Sequence, residues 1–337
     1  MDRTYFFVGA LAVCAAAACA APNAGSMPAG NAYEPVLGVV PDKRGKITFY
    51  RDTFGDATPD GIVAGPDNAA WFTDPGNDVI GRISSSGKYT LQQSVGAELS
   101  DGIALGPDND VWFTLEGGGV GTITQDGTVK LFKDPKGSGP QGITTGPDGA
   151  LWFAQSDGVG RVTTHGAFKH FSVGAGHAQL QGIVTGPDGN LWVTQSAVGS
   201  SLSNQVIRVT PKGQHRSYKV GSGPAWICVG RDKALWFAEF GANAIGRLTT
   251  SGNYTEYPTN YPGGAPSGIA TGADGAIWFT DFNGRFGIGR VTTSGKMHFF
   301  GSATYSDELR QIARGPIGEM WFTSYQGVEG IGSVTVY

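Results

Sequence analysis

A chain of 337 residues with 55 glycines and only 15% charged residues has the turn-rich make-up of an all-β protein, with length enough for one large domain. Its 24 basic and 28 acidic residues leave a net charge of −4, with no basic cluster beside an aromatic platform, which argues against nucleic acid as a partner. Three cysteines, Cys14, Cys19 and Cys228, two of them within the first 20 residues, exclude an internal disulfide framework.

That run, Tyr5 to Ala18 behind Arg3, is short for a membrane span and is followed by small residues. It predicts a secretory signal over residues 1–20. Ala16-Ala17-Ala18-Cys19 also reads as a lipobox, in which Cys19 is lipidated; a lipid anchor is then the only expected contact with a membrane. Both readings predict export, to the periplasm or the extracellular space. Residues 21–44, rich in Ala, Gly, Asn and Pro, predict a flexible linker, and 45–337 is expected to be the folded domain, acting as a monomer.

From Gly61 onward one sentence repeats. Trp71, Trp112, Trp152, Trp192, Trp236, Trp278 and Trp321 recur every 40 to 44 residues, each inside a string close to Gly-Pro-Asp-Gly-x-hydrophobic-Trp-Phe-Thr. That period belongs to a four-stranded propeller blade. In the first copy Gly61-Ile62-Val63-Ala64 is a short strand, stopped by Gly65-Pro66-Asp67-Asn68, whose proline and aspartate predict a turn. Ala70-Trp71-Phe72-Thr73, Ile80-Gly81-Arg82-Ile83 and Lys88-Tyr89-Thr90-Leu91 follow as second, third and fourth strands. No stretch has helical period. The fourth copy swells at Ala197 to Asn204.

The last copy stops at its third strand, Gly330 to Tyr337, while Gly45-Lys46-Ile47-Thr48-Phe49-Tyr50 matches the fourth strands of other copies. The predicted fold is therefore a seven-bladed β-propeller of four-stranded antiparallel blades, closed by Lys46 to Tyr50 pairing with the last blade, an arrangement that removes exposed sheet edges.

A propeller presents its site at one mouth of the central channel. The residue before each inner-strand Gly-Ile gives Asp60, Asp101, Gln141, Gln181, Ala225, Ser267 and Arg310. Three residues past each repeat tryptophan come Asp74, Leu115, Gln155, Gln195, Glu239, Asp281 and Ser324. Variation at matching positions of an otherwise constant repeat is the mark of a site grafted on a scaffold. Asp60, Asp101, Gln141, Gln181, Glu239, Ser267, Asp281, Arg310 and Tyr325 are the candidate ligand-binding residues, and Asp60 with Asp101 the candidate pair for a hard cation such as Mg²⁺ or Ca²⁺. Arg82, Arg161, Arg208, Arg247 and Arg290 share one third-strand position and are expected to pair with loop carboxylates. His165 sits in a turn, His170, His215 and His298 fall in or beside outer strands, and only His177 is placed to reach the mouth. Cys228, in an inner strand, is expected to be a buried, inert thiol.

The string Gly-Ile-x-x-Gly-Pro-Asp-Gly-x-Leu-Trp-Phe-Thr, followed by Ile-Gly-Arg-Ile-Thr-Thr-x-Gly, resembles the virginiamycin B (streptogramin B) lyase family throughout Gly45 to Tyr337, most closely at Phe237 to Leu248 and Tyr254 to Pro258. The resemblance implies a seven-bladed propeller, Mg²⁺ as cofactor, and linearisation of a cyclic depsipeptide by β-elimination. It implies a histidine base in a Pro-His-Gly-Ile segment of the last blade and a glutamate four residues past that blade's tryptophan. Here Arg310 and Tyr325 stand at those positions, and Ser267 replaces a further family histidine. An arginine, with a pKa above about 12, cannot act as a general base at neutral pH, although it can bind a carboxylate.

The sequence therefore favours an exported binding propeller that takes a small or peptidic ligand at its mouth. Two alternatives stay open: a C–O lyase with a reassigned base drawn from Glu308, Asp307 or Glu116, and a metal-dependent, lactonase-like hydrolase.

Overall fold

The computed structural model describes residues 45–50, 58–156, 158–174, 179–197, 203–283, 286–301, 308–315, 317–325 and 330–336. The signal and linker expected over 1–44, most of the swollen loop 197–204, His177 and Asp307 lie outside the described residues. The described chain forms seven four-stranded antiparallel sheets, six of them built from consecutive strands. The seventh joins Gly45–Tyr50 to the three last strands, in register from Gly45 opposite Val336 to Tyr50 opposite Ile331. One 3-10 turn, Phe240–Ala242, is the exception to an all-strand reading.

Three features of the repeat explain why it folds this way. In the third copy the turn aspartate Asp148 accepts the Trp152 indole N–H at 2.9 Å and the Arg161 Nε at 2.6 Å. The expected arginine partners are all of this kind: Asp67, Asp188, Asp232 and Asp274 pair with Arg82, Arg208, Arg247 and Arg290. The third-strand glycine is needed because a Cβ at Gly81 would stand 2.0 Å from Phe72 Cζ, and the same overlap recurs at Gly160 beneath Phe153. The fourth strand brings an aromatic ring onto the tryptophan, as Phe171 does on Trp152 at 5.2 Å and Tyr257 on Trp236 at 5.5 Å.

Blades adhere through the same motif. The tryptophan of one blade packs in a cluster with the phenylalanine of the next, as Trp71 does with Phe113 and Trp236 with Phe279. The circle closes on the same contact, with Trp321 of the last blade in one cluster with Phe72, Ile62 and Ile83 of the first. Tyr50 stacks on Trp321 at 5.0 Å and Phe49 meets Phe322 edge-on at 5.5 Å, so the N-terminal strand completes the last blade's core as well as its hydrogen-bond ladder.

Candidate functional site

Inner-strand backbone geometry delivers the first ring of residues to the mouth. In blades 2, 4, 5, 6 and 7 the register of the inner strand shifts at the ring residue, as between Leu99 and Ile103 and between Leu309 and Ile312. Such bulges re-aim side chains beside functional sites. The ring is pinned from behind by threonines two residues past the repeat tryptophan: Thr280 donates to the Arg310 carbonyl and Thr323 to the Asp60 carbonyl, each at 2.6 Å. Inner-strand glycines permit the close approach, since a Cβ at Gly61 would lie 2.1 Å from the Asp101 carbonyl oxygen.

Arg310 organises what converges there. Its guanidinium lies 4.6 Å from the Phe282 ring centroid and 4.4 Å from that of Tyr325. It donates to Glu308 at 3.2 Å and stands 3.8 Å from Asp60. The arginine side chain is only 9% exposed, so these charges interact with little help from water. Burial raises the pKa of Asp60, and Arg310 works against that rise. Asp101 is pushed up to about 8, by burial first and by the neighbouring Asp60 charge second, with Arg310 opposing. Asp60 and Asp101 therefore titrate as a coupled pair, both raised by burial and both held down by the Arg310 guanidinium. Glu116, at the edge of this group, is raised by burial and by Glu98, Asp101 and Asp78; the Tyr325 phenol is raised chiefly by burial.

The remaining sequence candidates divide. Gln141 and Gln181 contribute backbone to the seams between blades, the Gln181 carbonyl accepting from the Gly142 amide at 3.0 Å, and Ser267 is buried beside Gly268. The second ring turns into the blades: Asp74, Gln155, Gln195, Glu239, Asp281 and Ser324 are all buried. The Asp281 carboxylate accepts the amides of Ala265 at 2.7 Å and Phe286 at 3.1 Å, and Glu239 accepts the Gly221 amide at 2.8 Å. Both carboxylates anchor loops of their own blades. Cys228 is a free thiol in an inner strand, partly buried rather than fully buried as expected, and desolvation pushes its pKa up to about 12, which keeps it a neutral thiol.

The strand alternation explains the second ring's placement and adds Phe240 and Phe282, which sequence reasoning passed over, to Glu116 and Tyr325, which it named. Successive side chains of a strand face opposite ways, so the mouth is lined one residue further on, four past each tryptophan. That register reads Pro75, Glu116, Ser156, Ser196, Phe240, Phe282 and Tyr325, every one of them at least partly exposed. It is aromatic on blades 5, 6 and 7 and polar or small on the others. Phe240 and Phe282 meet edge-on at 5.6 Å, which continues the aromatic arc that begins at Tyr325 and Arg310. Trp226 is a second departure: it fills a register that holds glycine in five other blades, and its Cζ3 lies 3.2 Å from where a Cβ on Gly142 would stand, two blades away. The indole of blade 5 thus reaches across to blade 3.

The residues present do not fit the divalent cation that the resemblance implies. Arg310 already supplies positive charge to Asp60 and Glu308, and among the described residues no three His, Cys, Asp or Glu side chains come together where they could hold a metal ion.

The profile of the Virginiamycin B lyase family matches residues 36–200 and 173–337. A structure described as streptogramin B lyase is 28% identical, covers 87% of this chain and 98% of its own, and superposes with a TM-score of 0.79. A catalytically inactive histidine-to-alanine virginiamycin B lyase from Staphylococcus aureus, solved with quinupristin, is 31% identical over 87% of this chain and all of its own, with a TM-score of 0.79. A putative gluconolactonase at 16% identity and a TM-score of 0.52 shares the fold alone. None of the curated proteins matches the chain.

Proposed function

The chain belongs to the virginiamycin B lyase family, and from that premise we propose that it is an exported binding propeller of this family, taking a small or peptidic ligand at the mouth around Arg310. The observation that carries the reading is the fixed cation at the position where the resemblance puts the base: Arg310, held between Phe282 and Tyr325 and paired to Glu308 and Asp60. A guanidinium cannot take the α-proton, so elimination has lost its base while a recognition surface of opposite character on its two halves remains. The aromatic arc of blades 5 to 7 offers rings to an apolar part of the ligand. The acids of blades 1 and 2 offer carboxyl groups to a polar part of the ligand, and Asp101, raised to about 8, is a hydrogen-bond donor at neutral pH. Export is supported by the Arg3-led apolar run and the small residues after it.

Quinupristin is the natural probe, because a relative of this chain has been solved with it. Titration calorimetry is expected to give a binding isotherm, and mass spectrometry after incubation with and without Mg²⁺ is expected to return unaltered quinupristin. A linear product of unchanged mass would replace this reading with the lyase. A product heavier by one water would replace it with the hydrolase. The lyase reading has one observation in its favour, the carboxyl of Asp101, raised to about 8, which puts a proton-exchanging group near neutral pH beside the mouth.

A further inference from the structure

A second acidic cluster, in blade 5, lies directly behind the aromatic arc. Glu239 is fully buried at the end of its strand. The Tyr254 hydroxyl stands 2.8 and 3.0 Å from the two Glu239 carboxylate oxygens and 3.0 Å from Glu256 Oε2. The Gly221 amide donates into the same group, 2.8 Å from Glu239 Oε1 and 3.0 Å from the Tyr254 oxygen. Gly221 is enclosed by it: a Cβ there would lie between 2.5 and 2.8 Å from Glu256, Glu239 and Tyr254.

Counting protons is decisive. A phenol has one, and it can satisfy one carboxylate. A second carboxylate at 3.0 Å from the same oxygen faces it lone pair to lone pair unless a carboxyl carries a proton of its own. The geometry therefore calls for one extra proton, on the buried Glu239, which donates it to the Tyr254 oxygen while the phenol donates to Glu256. The surroundings agree. Burial, and then the Glu256 charge, drive Glu239 up to about 7 against the opposing bonds from Tyr254 and Gly221. Among the described residues the groups that bear on Glu239 are Glu256 and Tyr254 from the outer strand; residues 221–223 bring amides and the Ser222 hydroxyl, and the 240–242 turn carries no charge.

The cluster is joined to the mouth through backbone. Phe240 N donates to the Gly223 carbonyl at 2.9 Å and Ala242 N to that of Ser222 at 3.1 Å, so residues 221–223 and 239–242 are tied together at three points, one of them the Glu239 carboxylate. Phe240 then packs on Phe282, which lies against Arg310.

We propose that Glu239, Tyr254 and Glu256 form a proton-held latch: with that proton in place, residues 221–223 are pinned to the turn that carries Phe240, and the aromatic arc is closed. Loss of the proton as pH rises sends the exposed Glu256 into solvent and leaves Glu239 charged in the interior; the Gly221 bond strengthens on that charge, but the cost of desolvating it is larger and favours opening of the arc. The consequence for ligand affinity rests on the mouth being the ligand site; the latch itself does not.

Hydrogen exchange, corrected for the intrinsic pH dependence of amide exchange, tests it on the full chain. Protection of residues 220–223 and 240–242 is expected to fall about tenfold between pH 6 and pH 8, as the protonated fraction of a group titrating near 7 does. Glu239→Gln, which cannot ionise, is expected to show the same protection at both pH values, and Tyr254→Phe to lose it at both. Wild-type protection that does not change with pH, or a Glu239→Gln variant that titrates as the wild type does, overturns the latch. Calorimetry with quinupristin at pH 6 and pH 8 separates the two claims: exchange that titrates while quinupristin fails to bind at either pH upholds the latch and sinks the reading of the mouth.

Discussion

Replacing Arg310 by methionine removes the guanidinium and keeps an unbranched side chain between Phe282 and Tyr325. Two losses follow, and they differ in their pH dependence. The cation–π contacts at 4.6 and 4.4 Å are lost at every pH and are worth about 1 kcal/mol each in a site this enclosed, part of which the methionine recovers by packing. The ion pairs to Asp60 and Glu308 are lost only where those carboxyls are ionised. Taking one partner from a buried pair costs roughly 3–5 kcal/mol while the orphaned charge stays, and much less once it can be neutralised by a proton. Asp60 is already raised and Asp101 stands near 8, so without Arg310 both rise further and the folded variant binds more protons than the unfolded chain. By linkage its stability then falls as pH increases. Urea unfolding of wild type and Arg310→Met is expected to show a deficit of about 1 kcal/mol at pH 5.5 that grows to about 3 kcal/mol at pH 9. A deficit that is equal at the two pH values, or smaller at the higher, would refute the assignment of Arg310 as the counter-charge of the aspartate pair.

Three further outcomes are expected. Tyr50→Ala removes the stacking on Trp321 and the hydroxyl contact with Ser333, and should cost about 3–5 kcal/mol with hydrogen exchange rising first in residues 45–50 and 331–336; exchange rising uniformly round the ring would contradict closure by the N-terminal strand. On acidification Asp148, Asp188, Asp232 and Asp274 are all held below the usual carboxylate range, where burial, acting upward, is outweighed by bonds from the repeat tryptophans and by Asn190 or the paired arginines. Their stabilisation is present above pH 4 and is lost as pH falls through their lowered values, so melting temperature should drop steeply below pH 4, and Asp148→Asn should blunt that drop. Arg310→His combined with Ser267→His and Tyr325→Glu restores the set that the family resemblance implies; a linear quinupristin isomer detected with Mg²⁺ is the expected product, and an inert triple variant would show that more than these three side chains separates this mouth from a catalytic one.

Much of this molecule is legible in the order of its residues, because each blade is built from local pairings that recur. The tryptophan period, the Gly-Pro-Asp turn, the third-strand Gly-Arg and the match of Gly45 to Tyr50 with other fourth strands together determine seven blades and their closure, and Asp148 with Trp152 and Arg161 shows why those types recur together. The mouth was only half readable. Ring residues could be counted from the repeat, but which of two adjacent positions faces the channel depends on strand alternation at the blade's end, and a shift of one residue sends Glu239 and Asp281 inward and Phe240 and Phe282 outward. What the tertiary structure alone decided are the contacts between blades. Arg310 meets Asp60 across the closing seam, Phe282 and Tyr325 come from separate blades to hold it, Trp226 crosses from blade 5 to blade 3, and the charge state of Asp101 follows from neighbours 41 and 209 positions away in the chain. The repeat encodes hydrogen bonds and packing within a blade; the field at the hub exists only once seven different blades face one another around a single axis.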